Sequence, residues 1–216
     1  MRPEPYEKDL VVLLADRDAE AAVVELLQRA GDMGIRLPAF DTHTHPMRDP
    51  GCFRHSHEFL RAFHQTHEHA LVLFDLDGCG QERRGREKVE REAETRLAVN
   101  GWDDRAAVVV IAPELEAWVW SDSPAVDRIL GWEDREPGLR EWLRQRRMIR
   151  AGQPKPRQPK ETFLEALRVS RSRRRSAALY SDLAQVVDFA PCIDPAFLKL
   201  KMTLQAWFPI ERRSDV

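Results

Sequence analysis

A chain of 216 residues with 43% hydrophobic and 32% charged side chains has room for one full domain, with at most a small appendage, around a real core. No apolar run approaches the ~20 residues that span a bilayer, and acids flank the short apolar run near the N-terminus, so neither a membrane-spanning helix nor a signal peptide is expected. Three widely spaced cysteines, Cys52, Cys79 and Cys192, with no CxxC pair, argue against a disulfide framework and a cysteine zinc site, and lead us to expect the reducing cytoplasm.

In chain order, "DLVVLLAD" (Asp9 to Asp16) reads as a buried strand, apolar on both faces as parallel strands are. Asp18 is expected to cap a helix with Ala22, Val23, Leu26, Leu27 and Ala30 at helical spacing, stopped by Gly31. "GIRLPAFD" is a second strand whose Pro38 suits an edge position. "DTHTHPMRDPGCFRH" reads as a loop, and "SHEFLRAFHQTHEH" as a helix with Phe59, Leu60, Phe63 and His67 on one side. "ALVLFDLD" is a third strand. A charged helix, "RREKVEREAETRLAV", is interrupted at Gly85 and ends at Asn100-Gly101, and "AAVVVIAP" (Ala106 to Pro113) is a fourth strand.

Strands alternating with helices at this spacing imply βαβ units and a parallel sheet of about four strands flanked by helices. Past Pro113 the pattern turns helical in "ELEAWVWSD" and "GLREWLRQRRMI". A Pro/Lys-rich loop follows near 151–160, then two or three helices, the last from about Pro195 to Phe208. The expected division is an α/β domain over 1–125 and an α-helical C-terminal extension over 126–216 packed on it.

Net charge is only −2, yet from Arg140 to Arg175 there are 13 Lys/Arg against three acids. Such clustering suits nucleic acid phosphates, because basic side chains displace condensed counterions; a solvated helix face and loop is the plainer alternative. "RSRRRS" (Arg171 to Ser176) is its densest part.

In open parallel sheets ligands gather beyond the carboxyl ends of the strands. Asp16, Asp75 with Asp77, and Glu114 with Glu116 all fall at such ends. "FDLDG" resembles the first motif of haloacid-dehalogenase-type phosphatases, with Cys79 where threonine is usual. The later acid pair of that family is missing, since Asp103-Asp104 precedes strand four. For a metal site, residues i and i+2 on a strand face the same way, so Asp75 and Asp77 would both reach one Mg²⁺, which takes one or two carboxylates plus waters and phosphate.

The order "LLADRDAEAAV", "LFDLDG", "IAPELEAWVWSD" resembles the Rossmann-like Toprim fold, and within it the Toprim-like proteins allied to RloB and the OLD nucleases of bacterial phage-defence systems. Pro113, Glu116 and Trp118 match a Pro-x-x-Glu-x-Trp signature of that branch, with Asp122 trailing, and Pro154-Lys155-Pro156 is similar to a segment before its C-terminal helices. The similarity covers roughly residues 8 to 208. It implies a Mg²⁺- or Mn²⁺-dependent nuclease or nuclease subunit, restriction- or methylation-associated, acting on DNA or RNA with other defence-system proteins. An oligomer is compatible with that.

The implied metal ligands are Asp16, Asp75 and Asp77, with Glu20 and Glu116 completing the catalytic set. Asp16 stands where the family has a glutamate acting as general acid/base, with Arg17 in place of glycine; Glu20 matches a second family acid. Lys155, Lys160, Arg171, Arg173, Arg174 and Arg175 are the expected nucleic acid contacts. Helix capping is the alternative role for Asp16 and Asp18, and a first-turn helix charge for Glu116. The Asp16 and Arg17 departures favour a second reading, a catalytically silent Toprim module that binds nucleic acid or partners.

All seven histidines fall between His43 and His69. "DTHTHP" is similar to an amidohydrolase metal motif, but that barrel needs about 250 residues and ligands further on. His43 and His45, at the end of strand two, are candidates for a transition-metal site; exposed loop and helix histidines are the alternative. Trp118 and Trp142 lie among apolar residues and are expected in the core. "GCGQERRG" lacks the lysine and serine of a phosphate-binding loop.

Overall fold

The structure is a computed structural model that describes residues 6–210 except 121, 122, 151, 152, 154, 189 and 191. Asp122 and Pro154 of the motifs above therefore lie outside the described residues. Four apolar runs form the sheet: β1 (Lys8–Leu14), β2 (Phe40–Thr44), β3 (His67–Asp75) and β4 (Ala106–Ile111). They pair in the order β2-β1-β3-β4, parallel throughout, with Leu13 opposite His43 and Val72, and Asp75 opposite Ile111. This is the expected α/β architecture, consistent with a Rossmann-like Toprim arrangement, and β2 is at the edge that Pro38 suggested.

Period-two alternation sends each strand into two cores. Leu10, Val12, Leu14, Leu71, Leu73, Val109 and Ile111 face one of them. There they meet α1 (Arg17–Gln28), the short α2 (Ala30–Met33) and the C-terminal helices α6 (Pro124–Ile129), α7 (Leu139–Gln145), α8 (Pro159–Ser170), α9 (Ala177–Val186) and α10 (Pro195–Trp207). Val11, Leu13, Ala70, Val72, Phe74, Val108 and Val110 face the other, under α3 (Arg48–Phe59) and α4 (Arg86–Leu97). The C-terminal helices thus share one core with a sheet face, and each fully buried Leu or Val there contributes about 1.5–3 kcal/mol. Trp142 is buried in it and Trp118 packs against it, as expected.

Four local readings need correction. Asp16, not Asp18, is the N-cap of α1: its Oδ1 accepts from the backbone N–H of Asp18 and Ala19 at 3.1 and 3.0 Å. The segment read as a loop after β2 is helical from Arg48, because a proline within the first helical turn loses no hydrogen bond. Gly51 makes that possible, since a Cβ there would come within 2.0 Å of His45 Nδ1. Conversely, the helix expected through His67 stops at Phe59, followed by a 3₁₀ turn, and His67 already belongs to β3. The helix expected after Pro113 is a single turn, α5 (Glu116–Val119).

The outer edge of β4 is closed by side chains. Glu90 and Glu94 of α4 accept the backbone N–H of Val110 and Val108, each at 3.0 Å. Lys199 of α10 holds both carboxylates, at 3.2 and 2.7 Å, and Arg86 holds Glu90 at 2.8 Å. An edge whose N–H groups are taken offers little to another strand.

Candidate functional site

Parallel pairing puts the ends of β1 and β3, the two central strands, side by side. Asp16 follows β1 and Asp75 ends β3, and both line one small cleft with Ala15, Asp49 and Arg175. Asp49 was not foreseen. It sits in the first turn of α3, and its Oδ1 accepts the backbone N–H of Asp75 at 2.9 Å. The signal for it was an aspartate five residues past the end of β2, at the same end of the sheet as Asp16.

Electrostatics bind these acids into one group. Burial, followed by the charges of Asp49 and Glu116, pushes the Asp75 carboxyl well above the usual range, and the nearby Lys160 only partly opposes this. Burial also raises Asp49, with Asp16 adding to it, and raises Asp18 against the opposing charge of Arg175. Among the described residues no donor bonds the Asp75 carboxylate, so a charge there is offset only in part, by Lys160.

Cations reach the group from two sides. Arg48, whose backbone is left-handed (φ 51°), pairs with Asp16 Oδ2 at 2.5 Å from the first turn of α3. Arg175 enters from the α8–α9 connection and pairs with Asp18 at 2.8 Å. Its Nε donates to Tyr180 Oη at 2.9 Å and lies 3.4 Å from Glu116 Oε1, and Tyr180 Oη donates to the same Glu116 oxygen at 2.5 Å. Glu116 is fully buried. Burial opposes the charge of the Arg175 guanidinium, but Tyr180 first, then Asp18 and Glu116, hold it above its ordinary pKa, while burial and Glu116 raise the Tyr180 phenol.

Not every expected residue joins. Asp77 does not line this cleft; burial raises its carboxyl, and its charged neighbours are Glu82, Glu161 and Lys160. The chain turns at Gly78 (φ 90°) and the strand ends at Asp75, so the i, i+2 rule that would align the two carboxylates no longer applies. Glu20 accepts from Thr42 Oγ1 of β2 at 2.7 Å. Glu114 accepts the Lys160 backbone N–H at 3.0 Å and so caps α8.

The basic residues divide. Lys155 pairs with Asp194 at 2.9 Å, Lys160 with Glu114 at 3.3 Å, and Arg175 with the acids above. Arg173 pairs with Asp182 on the surface. Arg171 and Arg174 are exposed with no carboxylate partner among the described residues, and line an open cleft with Arg168, Arg173 and Arg175. Arg175 also borders a third cleft, with Asp16, Asp18, His45 and Arg48, so the acid group and the arginine cleft adjoin at one side chain.

Four of the histidines, His43, His45, His67 and His69, pack against aromatic rings, whereas His55 pairs with Glu58 at the surface. His43 lies against Phe63 and Phe59, with ring centroids at 4.7 and 5.9 Å, and His69 stacks on Trp207 at 4.4 Å. His45 is buried against Phe59, its Nδ1 accepts from the Met47 N–H, and burial lowers its pKa. His67 Nε2 is 3.1 Å from Asp41 Oδ2.

Among the described residues no three His, Cys, Asp or Glu side chains converge to metal-holding distance. The carboxylates nevertheless suit a hard divalent ion, because Mg²⁺ needs one or two of them and keeps several waters, and Asp75 has a charge to offer that is offset only in part. No helix among the described residues is long and apolar enough to cross a membrane. No protein-family model, curated protein or solved structure matches the chain.

Proposed function

We propose that the strand-end cleft is a divalent-cation-assisted phosphodiester site, and that the chain is a cytoplasmic nuclease or nuclease subunit acting on nucleic acid. The observation that carries this reading is the single cleft shared by Asp16, Asp49 and Asp75, which meets an arginine-lined cleft at Arg175. Asp75, with Asp49 or Asp16 as a second carboxylate, would hold Mg²⁺ or Mn²⁺ together with waters, and the ion would polarise the phosphoryl group and offset charge on the attacking and leaving oxygens. Arg48 and Arg175, at the mouth, would orient the backbone phosphate by forked hydrogen bonds. Placement in a phage-defence system, with partner proteins, rests on the resemblance to the RloB- and OLD-allied Toprim proteins.

One observation favours a silent module that binds nucleic acid without cutting it. Both oxygens of Asp16 are engaged, Oδ1 as helix cap and Oδ2 by Arg48. An acid so used is poorly free to move protons. The experiment is cleavage of labelled single- and double-stranded DNA and RNA with Mg²⁺ or Mn²⁺. A working nuclease loses cleavage in Asp75→Asn, and Asp16→Asn costs about 10² to 10⁴ in rate if Asp16 is the general acid/base. Failure of the wild type to cut any of the four substrates leaves the binding module.

A further inference from the structure

A second arginine cleft lies between the end of α7 and the start of α8. Arg144, Arg147, Arg150 and Arg157 line it with Met148 and Ile149, around about 710 Å³ of open space and with no acid in its wall. All four arginines are exposed. Arg144 has a surface carboxylate, Glu141, at 3.2 Å; among the described residues Arg147, Arg150 and Arg157 have none. Four like charges lining one cleft repel one another, which makes the cleft a place for a counter-charge.

Two features connect it to the cleft of Arg168 to Arg175. Glu165 of α8 accepts from Arg168 Nε at 2.6 Å and lies 3.5 Å from Arg146, the C-cap of α7 next to Arg147. One carboxylate therefore links an arginine lining the first cleft to the chain neighbour of an arginine lining the second. In addition, each has an arginine in the left-handed region directly after a helix, Arg147 (φ 57°) after α7 and Arg171 (φ 55°) after α8. The α7 end is a Schellman turn, with Arg147 N–H on Arg144 O at 2.9 Å and Met148 N–H on Leu143 O at 3.0 Å. Glycine is the low-strain residue at such a position. Two arginines held there, each aimed into a basic cleft, point to a use for the side chain rather than for the turn.

We propose that the Arg144–Arg147–Arg150–Arg157 cleft is a second phosphate-binding site, which takes the backbone of a nucleic acid already lying along Arg168 to Arg175. It rests on the nucleic-acid half of the function proposed above and not on its chemistry. All four side chains are arginine, whose planar fork grips a phosphate with two hydrogen bonds where lysine offers a point charge. A bound strand would run from the acid cleft over α8 to the end of α7, so affinity should depend on both clefts.

The test is fluorescence polarisation of a labelled 20-base-pair DNA in EDTA across a salt series, so that cleavage plays no part. Arg147→Gln/Arg150→Gln/Arg157→Gln should flatten the log K against log salt slope by roughly 2 to 3, and weaken binding at 0.1 M salt on the order of 10²-fold. Arg147→Gly should also weaken binding while keeping or raising the melting temperature, which separates lost contact from lost fold. An unchanged slope in the triple variant, alongside a flattened one in Arg171→Gln/Arg174→Gln, would remove this cleft and leave the nucleic-acid reading standing. Displacement of the DNA by polyglutamate as effectively as by unlabelled DNA would overturn the assignment in favour of an acidic protein partner. No DNA binding by the wild type would overturn both this proposal and the nucleic-acid reading. Binding with the expected slopes but no cleavage supports the cleft and removes only the nuclease.

Discussion

Replacing Asp75 by asparagine should stabilise this protein at neutral pH. The carboxylate is half-buried at the end of β3, no described donor bonds it, and Asp49, Glu116 and Asp16 all oppose its charge. Asparagine keeps the shape, and the backbone N–H of residue 75 still donates to Asp49. A buried charged group with no hydrogen-bond donor costs at least the ~1–3 kcal/mol of a buried unsatisfied polar group. For a domain near 200 residues, each 1 kcal/mol shifts the melting temperature by about 2–4 °C.

The pH dependence follows from the sign of the shift. The folded-state pKa lies above the unfolded value, so the folded chain keeps a proton that the unfolded chain gives up. The stability linked to that proton is complete below the ordinary aspartate pKa and is lost as pH rises through the folded value. Thermal melts without divalent ions should therefore show Asp75→Asn above the wild type at pH 8 and the gap shrinking towards pH 4. Mn²⁺ should raise the wild-type melting temperature by mass action and leave the variant unmoved. A variant no more stable than wild type at pH 8, or a gap as wide at pH 4, would refute the argument that Asp75 is an acid whose charge is offset only in part.

Tyr180→Phe removes the hydroxyl that donates to buried Glu116 and accepts from Arg175, and should cost about 1.5–3 kcal/mol in urea unfolding, as hydrogen bonds to charged groups do. Glu90→Ala opens the β4 edge and takes from Arg86 its 2.8 Å partner, while Lys199 keeps Glu94; a loss of about 3 kcal/mol and faster amide exchange at Val110 are expected. Lys155→Gln should lower stability by about 1–2 kcal/mol through loss of its bond to Asp194, and leave oligonucleotide affinity unchanged, because that ammonium is turned inward.

How much of this was legible in the chain depends on whether the cause was local. The strands were legible because parallel strands buried on both faces read as continuous apolar runs, and β1, β3 and β4 are such runs. Asp16 and Asp75 were found for the same reason: a residue just past a strand end belongs to the carboxyl edge of the sheet wherever the helices go. The first turn of α3 was hidden because proline and glycine read as loop, although both are at home there; with it went Asp49.

Local rules were silent on the partners. Asp75 and Asp77 look equivalent at i and i+2, yet the strand stops between them, so Asp75 faces Asp49, Glu116 and Asp16 while Asp77 faces Glu82 and Glu161. In "RSRRRS" the arginines are indistinguishable by composition. The packing of α9 against α1 draws Arg175 inward to Asp18, Glu116 and Tyr180 and leaves Arg171 and Arg174 in solvent. Composition and periodicity determined the sheet, its buried faces and the acids at its edge, because those follow from a repeat of two or 3.6 residues. Which charge meets which was decided by the tertiary structure alone, because an ion pair depends on distance in space and the residues that form these pairs are far apart in the chain.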